Sequence, residues 1–191
     1  MIHRILNAPL GWALGFHGLA TIAAFIWFQW IKARLDASYA ASNHPVDYAT
    51  GQTQFSGTAV KGYYAQIEAS GTLDIYWQTQ LIDFGFILGI FLLGWSLGTL
   101  IARFARPVSW GRRFALTASI AAMIAAICDA IENLISFVML ANPVDFADWI
   151  ALPYSGFAVA KFALITLAMA TLAISILLLA VGRALNRPKI A

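Results

Sequence analysis

An all-α, polytopic membrane fold, a bundle of four transmembrane helices in a single domain covering 1–191, is what this sequence predicts. Three observations carry the prediction. Hydrophobic residues make up 61% of the chain and charged residues 11%, with a mean hydropathy of +0.75, whereas soluble domains carry about 25% charge. Apolar runs at about 10–31, 77–101, 114–140 and 150–182 each reach the roughly 20 residues needed to cross a bilayer at about 1.5 Å per residue. The links between the runs differ sharply in charge, as membrane loops do.

The first run opens with Gly11, Gly15 and Gly18 and ends in Trp27, Phe28 and Trp30, aromatics suited to a membrane–water interface. It exceeds the length of a signal-peptide core, and Lys32, Arg34 and Asp36 separate it from any small-residue cleavage site, so it reads as an uncleaved first span. Residues 36–74 form a loop too long for a mere connector. Within it 43–57 is irregular, while 58–69 places Val60, Tyr63, Tyr64 and Ile67 on one side of a short amphipathic helix, fit to lie on the membrane or cap the bundle. Gly71 ends that helix.

The second run carries Gly85/Gly89 and Gly94/Gly98, both at the spacing that lets helix backbones approach closely. Angular steps put the two pairs on opposite faces. One pair is therefore expected inside the bundle, with Gly85/Gly89 free to meet a second copy or a partner subunit. Pro107 and Pro143 terminate the second and third helices, and Pro153 suits the first turn of the fourth. The fourth run is longer than a span requires and must tilt or project.

Arg103, Arg106, Arg112 and Arg113 fill the link between the second and third runs, Arg183, Arg187 and Lys189 follow the fourth, and Arg4 precedes the first. The link between the third and fourth holds Asp145 and Asp148 without a Lys or Arg. The positive-inside rule then places both termini in the cytoplasm, with a bacterial inner membrane as the setting. Lys32 and Arg34 run against this assignment. Topology and anionic lipid account for the basic residues, with no call for nucleic acid. The single Cys128 excludes an internal disulfide.

Asp129, Glu132 and Asn133 interrupt an otherwise apolar third run and share one helix face. Ionisable groups in hydrocarbon cost about 2.5–3.5 kcal/mol each on insertion scales, so partners, water or a ligand must offset them. Counted from the outer ends of their helices, Asp83, Asn133 and Lys161 all lie about 10 Å deep, with Asp129 about 16 Å deep. These groups are expected to meet in a cup opening outward, with Gln80, Tyr76 and Ser136 on the adjoining faces. Below Asp129 the face is Ala118, Ala122, Ala125 and Ala126, which favours close packing over a water column. Asp83, Asp129 and Glu132 against Lys161 leave a formal −2 if all ionise, so a proton or a bound cation has to compensate. The acids are hard oxygen ligands, but Lys161 takes a cation's place and no metal is expected. His17 and His44 lie at different depths and do not make a haem site; no cofactor is named by the sequence. Gly94-Trp95-Ser96-Leu97-Gly98 matches a hydrolase nucleophile pattern, but that pattern works on a strand-to-helix turn.

The ordered set Tyr64, Gly71, Tyr76, Asp83, Asp129-x-x-Glu132-Asn133 and Lys161 resembles a group of bacterial four-span membrane proteins without an assigned reaction. The resemblance implies the four-helix architecture and a common polar site. Asp83, Asp129, Glu132 and Lys161 are the candidate acid–base residues; Asn133, Gln80, Tyr76 and Ser136 are the candidate ligand contacts. The leading reading is a site that binds or acts on a small amphipathic molecule of lipid, isoprenoid or quinone type. The alternatives are a non-catalytic subunit of a larger membrane complex and proton or cation transport, with His17 extending a path inward.

Overall fold

The computed structural model describes residues 2–185, so Arg187 and Lys189 lie outside the described residues. A short helix α1 (Ile2–Asn7) and a 3-10 turn (Pro9–Gly11) precede α2 (Leu14–Ala41). The segment between α2 and the next long helix contributes α3 (Tyr48–Gln52) and α4 (Gly57–Ala69). Three long helices complete the chain: α5 (Leu73–Phe104), α6 (Trp110–Leu140) and α7 (Ala151–Leu185), the last entered through a 3-10 turn at Asp148–Ile150. Four helices are long and apolar enough to cross a membrane, and the chain is a multi-pass membrane protein.

Helix ends follow local chemistry. Asp47, Ser56 and Ser109 cap α3, α4 and α6 by accepting from the amides of Thr50, Ala59 and Arg112. Gly71, at φ +70°, turns the chain from α4 into α5. The spans run longer than the apolar runs. α2 continues ten residues beyond Ile31 to Ala41, because the segment after Ile31 holds good helix formers and Lys32 pairs with Asp36 one turn on. The outer loop therefore begins at Ser42, later than the hydropathy boundary indicated.

Packing follows chain order: α2 lies on α5, α5 on α6 and α6 on α7, while α2 and α7 have almost no direct contact. This leaves a seam between the first and last spans. Both glycine pairs of α5 are spent on making the row. A Cβ at Gly98 would meet the Ala115 carbonyl oxygen at 2.8 Å, and one at Gly94 would overlap Ala122, so this pair seats α6. Gly85 and Gly89 instead receive Ile31, Trp27 and Phe28 of α2, and the Trp27 indole donates to the Gly85 carbonyl at 2.9 Å. The expectation that Gly85/Gly89 faces a second subunit is thus corrected: opposite faces of α5 both find partners within the chain. Over the end of the bundle where α5 begins and α6 ends, Val60, Tyr64 and Ile67 of α4 are buried with Tyr76, Met139, Leu140, Phe146 and Tyr154. α4 is a roof on the bundle, with Tyr63 half-buried at its edge.

A buried charge cluster beneath a roof and beside a seam

Asp129 and Glu132 sit one turn apart on the buried face of α6, and Lys161 of α7 reaches both. Its Nζ donates to Asp129 Oδ1 at 2.6 Å and to Glu132 Oε2. All three residues are at most 5% exposed. The four-carbon stem of Lys161 lets its ammonium span the gap between helices while its charge is met by two carboxylates. Charge-assisted bonds of this kind are about twice as strong as neutral ones.

Next to the triad is an uncharged polar shelf. Asn133 Nδ2 donates to the Gln80 carbonyl at 2.9 Å, and Gln80 Nε2 donates to Ser136 Oγ at 2.5 Å, tying α5 to α6 at the same depth. Tyr76 and Tyr154 are buried above it, and Tyr154 approaches Glu132. Tyr64 hangs from the roof; its hydroxyl approaches Ser136 and Tyr76, yet it and Asn133 Oδ1 make no well-directed bond among the described residues. Burial pushes the Tyr64 phenol above its ordinary pKa, so it stands as a neutral donor. The structure therefore brings Asp129, Glu132, Lys161, Asn133, Gln80, Ser136 and Tyr76 into one layer.

Asp83 sits apart from these bonds. It forms no ion pair among the described residues, but it lines a cavity of about 200 Å3 together with Asp129 and Lys161. Lys32 and Asp36 of α2 and Tyr48 and Gln52 of α3 add further polar groups to a lining that is otherwise apolar, with Leu35, Phe86, Phe162 and Ile165. The expected outward cup is corrected here: α3 and α4 roof the layer, and the cavity lies at the seam between α2 and α7. Phe86 and Ile165 line both this cavity and a second one below it, of about 260 Å3, walled by Leu93, Gly94, Leu97, Ala118, Ala122 and Leu172 among others. The alanine face was expected to be closely packed. All four alanines are buried, with Ala122 against Gly94, while Ala118 and Ala122 also reach the edge of this apolar groove. A dry, hydrocarbon-lined groove offers water no hydrogen-bond partners.

The remaining candidates are occupied structurally. His17 Nε2 contacts the Ser96 carbonyl at 3.0 Å and Thr99 Oγ1 at 3.2 Å, locking α2 to α5 in the half of the bundle away from the roof. Ser96 Oγ donates to the Leu92 carbonyl at 2.7 Å within an unbroken helix, which is no nucleophile turn. No group of three His, Cys, Asp or Glu fit to hold a metal is found among the described residues.

Sequence reasoning missed Lys32, Asp36, Tyr48 and Gln52 as cavity walls. The Lys32/Asp36 spacing was the available signal: two opposite charges one turn apart, just past an apolar run, mark a helix that continues. Tyr154 was not singled out either. No family model, curated protein or solved structure matches the chain, and the layer has to be interpreted from its own geometry.

Proposed function

We propose that this protein holds a small amphipathic molecule within the membrane, and that Asp83, Asp129, Glu132 and Lys161 serve its polar end by acid–base chemistry. The observation that carries the reading is the meeting of two unlike cavities at Phe86 and Ile165. A compartment bordered by Asp83, Asp129 and Lys161, with Lys32 and Asp36 at its edge, adjoins an apolar groove, the outline of a lipid, isoprenoid or quinone with its head toward the outer leaflet. Paired buried carboxylates and an ammonium are the groups that give and take protons at a bound oxygen or nitrogen. Gln80, Asn133, Ser136 and Tyr76 would hold the pair in place from α5 and α6.

The same reading sets the protein in a bacterial inner membrane with both termini in the cytoplasm, supported by the arginines between α5 and α6. The apolar groove below the acids weighs against proton or cation transport. The use of Gly85 and Gly89 by α2 removes the specific support for a subunit role.

Lipid and quinone profiles of the purified protein test the proposal. Asp129→Asn, Glu132→Gln and Lys161→Met should each strip a defined co-purifying amphipath while the helical bundle remains assembled by circular dichroism. An unchanged profile across the series would refute it.

A further inference from the structure

Charge pairing around the seam narrows what the occupant can be. Of the two lysines on the polar cavity, Lys32 is engaged by Asp36 and Lys161 by Asp129 and Glu132. Asp83 is the wall carboxylate with no ion pair within 4 Å among the described residues. An anionic head would find Lys161 held by two buried carboxylates and Lys32 paired with Asp36 at a half-exposed edge, and would face Asp36, Asp83 and Asp129. A cationic head would pair with Asp83 and bring the formal −2 of Asp83, Asp129, Glu132 and Lys161 to −1.

The groove fixes the other end. On α5 its lining runs from Phe86 to Gly98, about 18 Å along the axis, close to the length of an extended chain of fourteen to sixteen carbons. Its volume of about 260 Å3, between small residues of α5 and α6, excludes a second chain and takes part of one lying along the valley, the rest staying in the bilayer. Because α2 and α7 scarcely touch, the molecule can slide in from the bilayer without the roof being lifted.

Resting on the amphipathic reading above, we infer that the occupant is a single-chain cationic amphipath, an ammonium on a long alkyl or isoprenyl tail. It passes between α2 and α7, with Asp83 taking its charge and the groove below Phe86 taking its chain.

Three probes that share a hexadecyl chain test this: the amine, the alcohol and the sulfate. Each is titrated into the purified protein in maltoside micelles, and adducts are read by native mass spectrometry. The amine should bind about tenfold more tightly than the alcohol, since a charge-assisted bond is worth a decade or more, and the sulfate should bind weakest. Asp83→Asn should bring the amine down to the alcohol, Asp83→Glu should keep the preference, and Leu97→Trp should weaken all three by filling the groove. Equal binding of amine and alcohol by the wild type, which needs no variant, overturns the head-group assignment and leaves the amphipathic site standing. A preference that survives in a folded Asp83→Asn protein does the same, and tightest binding by the sulfate replaces the cation with an anion. Failure of every chain to bind overturns this inference together with the reading beneath it.

Discussion

Removing the ammonium from the Lys161 triad should destabilise the protein far more than removing the whole set of charges. Lys161 Nζ stands 2.6 Å from Asp129 Oδ1 and also bonds Glu132. At an effective dielectric constant of about 20, opposite unit charges at that separation attract by about 6 kcal/mol, before desolvation of the charges is set against it. Breaking one side of such a buried pair costs about 3–5 kcal/mol, because the abandoned charge stays buried, whereas replacing all members is close to neutral. Lys161→Met is therefore expected to lose about 3–5 kcal/mol. Lys161→Met combined with Asp129→Asn and Glu132→Gln should recover most of it, a coupling of about 2–3 kcal/mol. The assay is reversible unfolding in bicelles by added dodecyl sulfate, followed by circular dichroism, with each variant's midpoint compared. A Lys161→Met protein as stable as wild type, or a triple variant whose losses simply add, would refute the idea that one ammonium satisfies two buried acids.

The two glycine pairs should differ in their tolerance of a methyl group. Gly98→Ala pushes Cβ against the Ala115 carbonyl and Ser119, backbone included, and should cost about 1–3 kcal/mol in the same unfolding assay. Gly85→Ala meets only the movable end of Ile31 nearest it and should cost less than Gly98→Ala. Ser96→Ala should leave any activity intact, and a fluorophosphonate probe should not label the wild type, because Ser96 Oγ is bonded inside its own helix. The roof should weaken on mild acidification. Burial holds the His44 imidazole below its ordinary 6.5, so the opened segment takes up a proton more readily, and stability falls as pH drops from about 6.5 toward the lowered folded value. Hydrogen exchange of amides 57–69, corrected for intrinsic rate, should be faster at pH 5 than at pH 8, and His44→Gln should flatten that difference. Asp47 acts in a separate, more acidic window. Bonds from the Thr50 amide and hydroxyl hold its carboxyl below 3.8, and their contribution is lost only as pH falls through that lowered value.

Fold class was legible because hydrophobic length and the basic α5–α6 link are one-dimensional signals. The charge layer was legible for a related reason. Ionisable residues within an apolar run have few stable placements, and equal depth on α6 and α7 was enough to bring Asp129, Glu132 and Lys161 together. What failed were inferences that need to know which helix stands next to which. The angular step correctly separated Gly85/Gly89 from Gly94/Gly98, but only the packing of α2 on α5 reveals that both faces have partners within the chain. The alanine face of α6 likewise permits both close contact and a groove, depending on whether a neighbour fills the valley. All four are buried, yet Ala118 and Ala122 also border the groove.

The seam explains why one molecule has both kinds of cavity. Had α2 closed on α7, Asp83 would be sealed beside Asp129 with a single lysine between three acids, an arrangement that bilayer energetics disfavours. With α2 held to α5 instead, through Trp27 at Gly85 and His17 at Ser96, the valley over α5 and α6 stays accessible from lipid along its length. Its outer part inherits the charges that the three other helices bring to one depth, and its inner part inherits the small residues that let α5 and α6 approach. The position of α2 thus couples head to tail. A disulfide-length crosslink drawing α2 to α7 across Leu35 and Phe162, made by cysteine replacement in a Cys128→Ala background, should exclude long-chain probes while leaving the Lys161 bonds in place. Unimpeded binding in the crosslinked protein would show that access does not run through the seam.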